Sequence, residues 1–155
     1  MKKLIIYVLI AICMMTFISS CGDSSLKKIY DDNARIVQKG DAIDMKDYSV
    51  GAVDVGHNFS CGFTGIKTIY TLNAKADSTI SVNYDLKTQS GKFKCVFVDA
   101  NNTLKVIVEQ SGTGNLTLTV PKGENVIKIV GLDAQLDLTT DVKNSDGNVE
   151  IAYIS

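Results

Sequence analysis

The chain of 155 residues has no tryptophan, one proline, one histidine and one arginine. Each shortage closes off a kind of chemistry. Without Trp, an exposed platform for stacking sugars lacks its largest aromatic side chain. With Arg35 as the sole arginine, bidentate clamps on phosphate or carboxylate are scarce. Beyond the first residues, Lys27-Lys28 is the only adjacent pair of cations, and nucleic-acid phosphates call for clustered Lys and Arg, so no nucleic-acid partner is expected. His57 is the only imidazole, and no C-x-x-C pair accompanies it to suggest zinc. Asp99-Ala100-Asn101-Asn102 lacks the central Gly and the later acid of an EF-hand loop. No G-x-S-x-G nucleophile elbow occurs. The apolar run from Leu4 to Phe17 falls short of the roughly 20 residues that cross a bilayer core.

What is present begins at the N-terminus. Met1-Lys2-Lys3 precedes that apolar run, Ile18-Ser19-Ser20-Cys21 follows it, and Gly22-Asp23-Ser24-Ser25 turns polar at once. A charged start, a short apolar stretch and small residues before a cut describe a secretory signal. The four residues Ile18 to Cys21 resemble a bacterial lipobox. The resemblance implies that residues 1–20 are removed and that Cys21 carries a diacylglyceryl thioether as the first mature residue. Two acyl chains matter, because one chain holds a protein at a membrane only marginally. The expected location is extracytoplasmic, lipid-anchored to the outer face of the bacterial cell membrane. Lys2 and Lys3 leave with the signal, taking the net charge from −1 to −3.

Of four cysteines, Cys13 lies in the signal and Cys21 in the lipobox, leaving Cys61 and Cys95. Their settings match: Phe59-Ser60-Cys61-Gly62-Phe63 and Phe93-Lys94-Cys95-Val96-Phe97. On a strand each thiol points inward with two Phe neighbours. An exported pair permits a disulfide, and two small buried thiols are the alternative.

Residues 21–48 read as a tether containing a short helix over 26–39. Leu26, Ile29, Tyr30, Ile36 and Val37 form a partial helical stripe, with Ser24 or Ser25 able to cap its start and Gly40 placed to end it. From about residue 49 the period changes to two. Ile80, Val82, Tyr84 and Leu86 alternate with Ser81, Asn83, Asp85 and Lys87, and Leu116, Leu118 and Val120 alternate with Thr117 and Thr119. Further runs lie at 59–63, 66–72, 93–97, 104–108, 127–129, 134–138 and 149–153. Ser90-Gly91, Gly112-Thr113-Gly114, Pro121-Lys122-Gly123 and Asp146-Gly147 supply turn chemistry between runs, and Gly131-Leu132-Asp133 a tight turn or bulge. About eight or nine short strands in residues 49–155 predict one all-β domain, a single antiparallel β-sandwich. The stretches Thr68–Leu72, Asn83–Leu86, Ser90–Lys94, Val98–Ala100 and Ile127–Gly131 are similar to small Gram-positive surface lipoproteins. That resemblance covers roughly residues 57–140, implies a jelly-roll-like binding module and transfers no site residue.

Candidate chemistry is thin. Asp54 and Ser60 flank His57 at a spacing of three, which on a strand turns both away from it. Asp99, Asn101 and Asp133 are oxygen donors in turns, where their ordinary role is backbone geometry and their further one a calcium site. Asp85 and Asp137 fall on the outward phase of strands, and Asp31-Asp32 on a solvated helix face. Tyr70 and Tyr84 fall inward, while Tyr30 and Tyr48 are expected at the surface. These residues predict a protein with no catalytic residue, metal or cofactor: a membrane-anchored, non-catalytic module binding or adhering to a protein or glycan. A structural or accessory subunit of an envelope assembly is the alternative, and a small hydrolase the third reading.

Overall fold

A computed structural model describes residues 23–52, 56–144 and 146–154. Residues 1–20, expected to be a signal, and Cys21, expected to carry lipid, lie outside the described residues. The chain opens with helix α1 (Asp23–Lys28), a 3-10 turn (Ile29–Asp31) and helix α2 (Asn33–Ile36). Seven strands follow: β1 (Ala42–Ala52), β2 (His57–Ala74), β3 (Ser78–Val98), β4 (Leu104–Glu109), β5 (Gly112–Val120), β6 (Gly123–Asn144) and β7 (Val149–Tyr153). The boundary read at residue 49 falls within β1.

All pairings are antiparallel, and β2, β3 and β6 are long enough to serve twice. The first half of β2 pairs with the second half of β6, which pairs with the first half of β3. Beta-1 flanks this group on one side and β5 on the other. The remaining halves of the same three strands pair again in the same order, now flanked by β7 and β4. The sheet therefore folds over on itself into two layers, with eight strand segments in jelly-roll order and β1 and β7 added at the edges. Three strands each carry two of the short runs expected from the sequence. Register shifts mark the bends, between Phe63 and Gly65 on β2 and between Thr88 and Lys92 on β3.

Two glycines make those bends. Gly65 has φ +119°, and a Cβ there would lie 2.0 Å from the Ala42 carbonyl oxygen. Gly91 has φ +72°, and its Cβ would lie 2.1 Å from the Asp133 oxygen. No L side chain fits either site, because the close approach is to backbone.

Between the layers lies the main core, to which Phe59, Cys61 and Phe63 come from one side and Phe93, Cys95 and Phe97 from the other. Phe63 and Phe93 meet edge to face at 5.8 Å. Both inward Cys–Phe trios stand as alternation predicts. The disulfide left open by the sequence is not formed: Cys61 and Cys95 are buried free thiols. They lie in opposite layers, Cys61 beside Leu136 and Cys95 beside Ile129.

A second, smaller core lies outside layer two. Ile66, Val96, Val98 and Val130 point outward there, and Ile29, Tyr30 and Ile36 cover them. Each such side chain contributes about 2 kcal/mol on burial. Tyr30 is thus 4% exposed and not at the surface as expected. Its hydroxyl donates to Glu109 Oε1 at 2.7 Å, and the Lys94 ammonium sits 4.7 Å above its ring. Lys128, also outward on layer two, is only 2% exposed. Its Nζ donates to the carbonyls of Ile36 (3.0 Å) and Gln38 (2.6 Å), oxygens at the end of α2 that have no helical partner. Burial pushes the Lys128 ammonium below its ordinary pKa.

Candidate functional site

The two outer faces of the sandwich differ. Layer two is apolar outside and carries the helices. Layer one is polar outside, because the outward phase of its strands holds Thr, Asn, Ser, Asp and Lys while the inward phase holds Ile, Val and Leu. No element covers that face among the described residues.

Strand register brings its side chains into rows. Asn115 on β5 stands opposite Asn83 on β3, which stands opposite Asp141 on β6. The next row runs Thr113, Asp85, Thr139 and Asn58, and a third runs Lys87, Asp137 and Ser60. Asn83 Nδ2 donates to Asp141 Oδ2 at 3.2 Å. Asn115 Nδ2 donates to Ser81 Oγ at 2.9 Å and also to Asn83 Oδ1. Thr113 Oγ1 donates to Asp85 Oδ1 at 3.0 Å, Gln89 Nε2 to Asp137 Oδ2 at 3.0 Å, and the Lys143 ammonium lies 2.8 Å from Asp141 Oδ2. Two hollows of about 380 and about 250 Å³ adjoin at Asp85 and Thr139. Asn58 lines the smaller one, and its Oδ1 has no hydrogen-bond partner among the described residues.

These groups are planar amides, carboxylates and hydroxyls on rigid strands, held in orientation by one another. They offer donors and acceptors in a fixed lattice, and Tyr84 is the one aromatic side chain among the residues that line the larger hollow. Such a lattice can hold a polyhydroxylated or amide-bearing ligand by hydrogen bonds. Asp85 and Asp137 are outward as expected; Asn83, Asn115 and Asp141 join them only through the strand order, which no local sequence signal carries.

The other candidates are not brought together. His57 Nδ1 is 3.2 Å from the Tyr70 hydroxyl, and its ring stacks on Tyr153 at 3.6 Å. Ser60 points outward on the opposite phase of β2, and Asp54 lies outside the described residues. Asp99 Oδ1 accepts from the Asn101 and Thr103 amides, a local turn. Asp133 sits at the bend of β6, at the other end of layer two, where Lys27 Nζ approaches Oδ2 at 3.1 Å and Thr64 donates to Oδ1 at 3.2 Å. Those partners hold its carboxyl below the usual carboxylate range. Among the described residues no three His, Cys, Asp or Glu side chains gather as metal ligands. Burial pushes the Cys61 thiol up to about 11 and the Cys95 thiol up to about 12, away from the thiolate a nucleophile needs.

A cavity of about 290 Å³ lies between residues 37–41 and layer two, but Lys128, which lines it, is committed to the α2 carbonyls. A hollow of about 410 Å³ at the bend end is lined by Asp44, Asp47, Asp133 and Lys46, a mixed and locally paired set.

No family model matches the chain, and no curated protein does. Among solved structures, it is similar to a carbohydrate-binding module from the Cellvibrio mixtus lichenase 5A in complex with cellotriose. That match has 13% identity over 66% of this chain and 90% of that one, with a TM-score of 0.38. A family 35 carbohydrate-binding module from an environmental isolate matches at 14% identity over 74% and 95%, with a TM-score of 0.36. A salicylyl-acyltransferase from a tetracycline biosynthetic pathway matches at 9% identity over 74% and 40%, with a TM-score of 0.33. The jelly-roll order described above stands on the strand pairings alone.

Proposed function

We propose that the protein is a lipid-anchored, extracytoplasmic binding module without catalytic activity, and that its ligand is a glycan lying along the outer face of layer one. The observation that carries the binding reading is the lattice of Asn83, Asn115, Asp141, Asp85 and Thr139 beside two adjoining hollows. Sugar hydroxyls donate and accept at once, so they match mixed amide and carboxylate edges. Asp85, Asp137 and Asp141 against Lys87 and Lys143 leave the face close to neutral, favouring neutral over acidic saccharides.

Titrating neutral oligosaccharides onto the lipidated protein in nanodiscs tests the ligand. Asn115→Ala and Asp141→Ala should each weaken binding about tenfold, the loss of roughly one charge-assisted or amide hydrogen bond. Saccharide binding indifferent to both changes would remove this face from consideration.

The anchor rests on the lipobox residues and has its own test. Labelled palmitate fed to expressing bacteria should enter the wild-type chain and be absent from Cys21→Ser. Label persisting in the variant would overturn the anchor.

A further inference from the structure

Resting on the reading of Cys21 as the lipid attachment point, we infer that the helical layer holds the sandwich directly against the bilayer, with the polar face of layer one turned away from it. In the sequence, residues 21–48 read as a tether whose helix starts at residue 26. Instead, α1 already begins at Asp23, and only Gly22 separates that residue from Cys21. Successive Cα atoms are about 3.8 Å apart, so the lipidated residue lies within about 7.6 Å of the start of α1, whatever its conformation.

Alpha-1 does not hang free. Leu26 packs on the outer core of layer two, and Lys27 Nζ lies 3.1 Å from Asp133 Oδ2 at the β6 bend. The chain beyond is held more firmly still. Ile29, Tyr30 and Ile36 are buried, Tyr30 is bonded to Glu109, and Lys128 grips the carbonyls of Ile36 and Gln38. A tether of n flexible residues spreads its ends over about 5–6 Å × √n; between Cys21 and α1 the sequence has Gly22 alone. Alpha-1 touches β1, β2 and β6 at the bend, and the outer face of layer one lies on the opposite side of the two sheets, themselves about 10 Å apart, from the outer core on which Leu26 packs.

Charge does not set this orientation. Around α1, the 3-10 turn and the neighbouring bend, Lys27, Lys28, Lys46, Lys92 and Lys94 stand against Asp31, Asp44, Asp47, Glu109 and Asp133. Attraction to anionic headgroups, about 1 kcal/mol per cation, is thereby cancelled. The covalent tie and the packed helices set it.

The absence of Trp makes the test clean, since one introduced Trp is the only one in the chain. Lys28 and Asn115 are both exposed, one on α1 and one on the polar face. Mature lipidated Lys28→Trp and Asn115→Trp proteins are reconstituted in phosphatidylcholine–phosphatidylglycerol vesicles containing lipid brominated near the headgroup. The Lys28→Trp fluorescence should fall about twofold, because an interfacial group sits within 5–10 Å or so of the headgroup boundary, while Asn115→Trp stays unquenched. The difference should persist at about 0.5 M KCl, where charges are screened within about 4 Å. A short Gly-Ser insertion after Gly22 should erase it. Equal quenching of both positions, or none at either, in protein that still floats with the vesicles would overturn the fixed orientation and leave the anchor standing. Flotation unchanged by Cys21→Ser would overturn the anchor, and this inference with it.

Discussion

Gly65→Ala is expected to cost about 3–5 kcal/mol, a large share of the 5–15 kcal/mol or so that holds a typical domain folded. Two physical causes add. The φ of +119° is outside the region open to L side chains, and holding one there costs about 1–3 kcal/mol. The new Cβ would also sit 2.0 Å from the Ala42 carbonyl oxygen, a backbone atom that cannot rotate aside. Relief requires β1 to move off β2 at the Ala42–Ile66 and Ile43–Gly65 pairs. Gly51→Ala is the matched control, because nothing lies within 4 Å of its Cβ site and its φ is ordinary. That change should stay within about 0.5 kcal/mol. Urea unfolding of the two variants, read as a midpoint shift at constant slope, decides it. A Gly65→Ala loss under about 1 kcal/mol would mean that the bend does not depend on this glycine.

The second large effect is alkaline unfolding driven by the two core thiols. Their ordinary pKa of 9.0 is raised by burial to about 11 for Cys61 and about 12 for Cys95. In the folded state both hold their protons longer than in the unfolded chain. The stabilisation from this proton retention is therefore fully present below pH 9 and is lost as pH rises through 11 to 12. By pH 11 the two thiols together remove about 5 kcal/mol, from 1.36 kcal/mol per pH unit over which each proton is retained. Tyr30 and Tyr70, whose hydroxyls burial also raises, push in the same direction at higher pH. Stability measured by urea between pH 8 and 11 should fall steeply in the wild type and much less in a Cys61→Ala, Cys95→Ala double variant. The variant starts lower at pH 8, since it leaves small cavities. Parallel curves for the two proteins would show that thiol ionisation is not what limits alkaline stability.

The strands were legible because one face of each is buried. Ile80, Val82 and Leu86, or Leu118 and Val120, follow the period that a half-buried sheet imposes. The Phe–Cys–Phe trios announced themselves in the same way. Where both faces are buried the alternation fails, as in Val96-Phe97-Val98 and Val126-Ile127, and this was the available sign that something covers layer two. Tyr30 was misplaced at the surface for want of that step. The helix expected over 26–39 is instead broken into the end of α1, a 3-10 turn and α2, and whether such a short amphipathic turn faces water depends on what the sheet offers it.

The continuity of β2, β3 and β6 was not legible. Gly65, Gly91 and Gly131 look alike as hairpin turns or as bends, and the distinction depends on whether partner strands continue past them. The polar face has the same character. Alternation alone put Asp85 and Asp137 outward, yet Asn83, Asn115 and Asp141 form a lattice only because β5, β3 and β6 lie side by side.

By itself, then, the sequence determined the all-β class, the alternation of core and surface, the inward thiols and the lipobox resemblance. All of these are local, set by side-chain period or by short motifs. Only the tertiary structure decided that the thiols stand apart, that Lys128 caps a helix instead of meeting solvent, and that one face is covered while its opposite is bare. It also showed that the short helices ahead of the strands pack on layer two. These properties depend on which segments become neighbours across the fold, a global balance of packing that the pattern within any one segment does not encode.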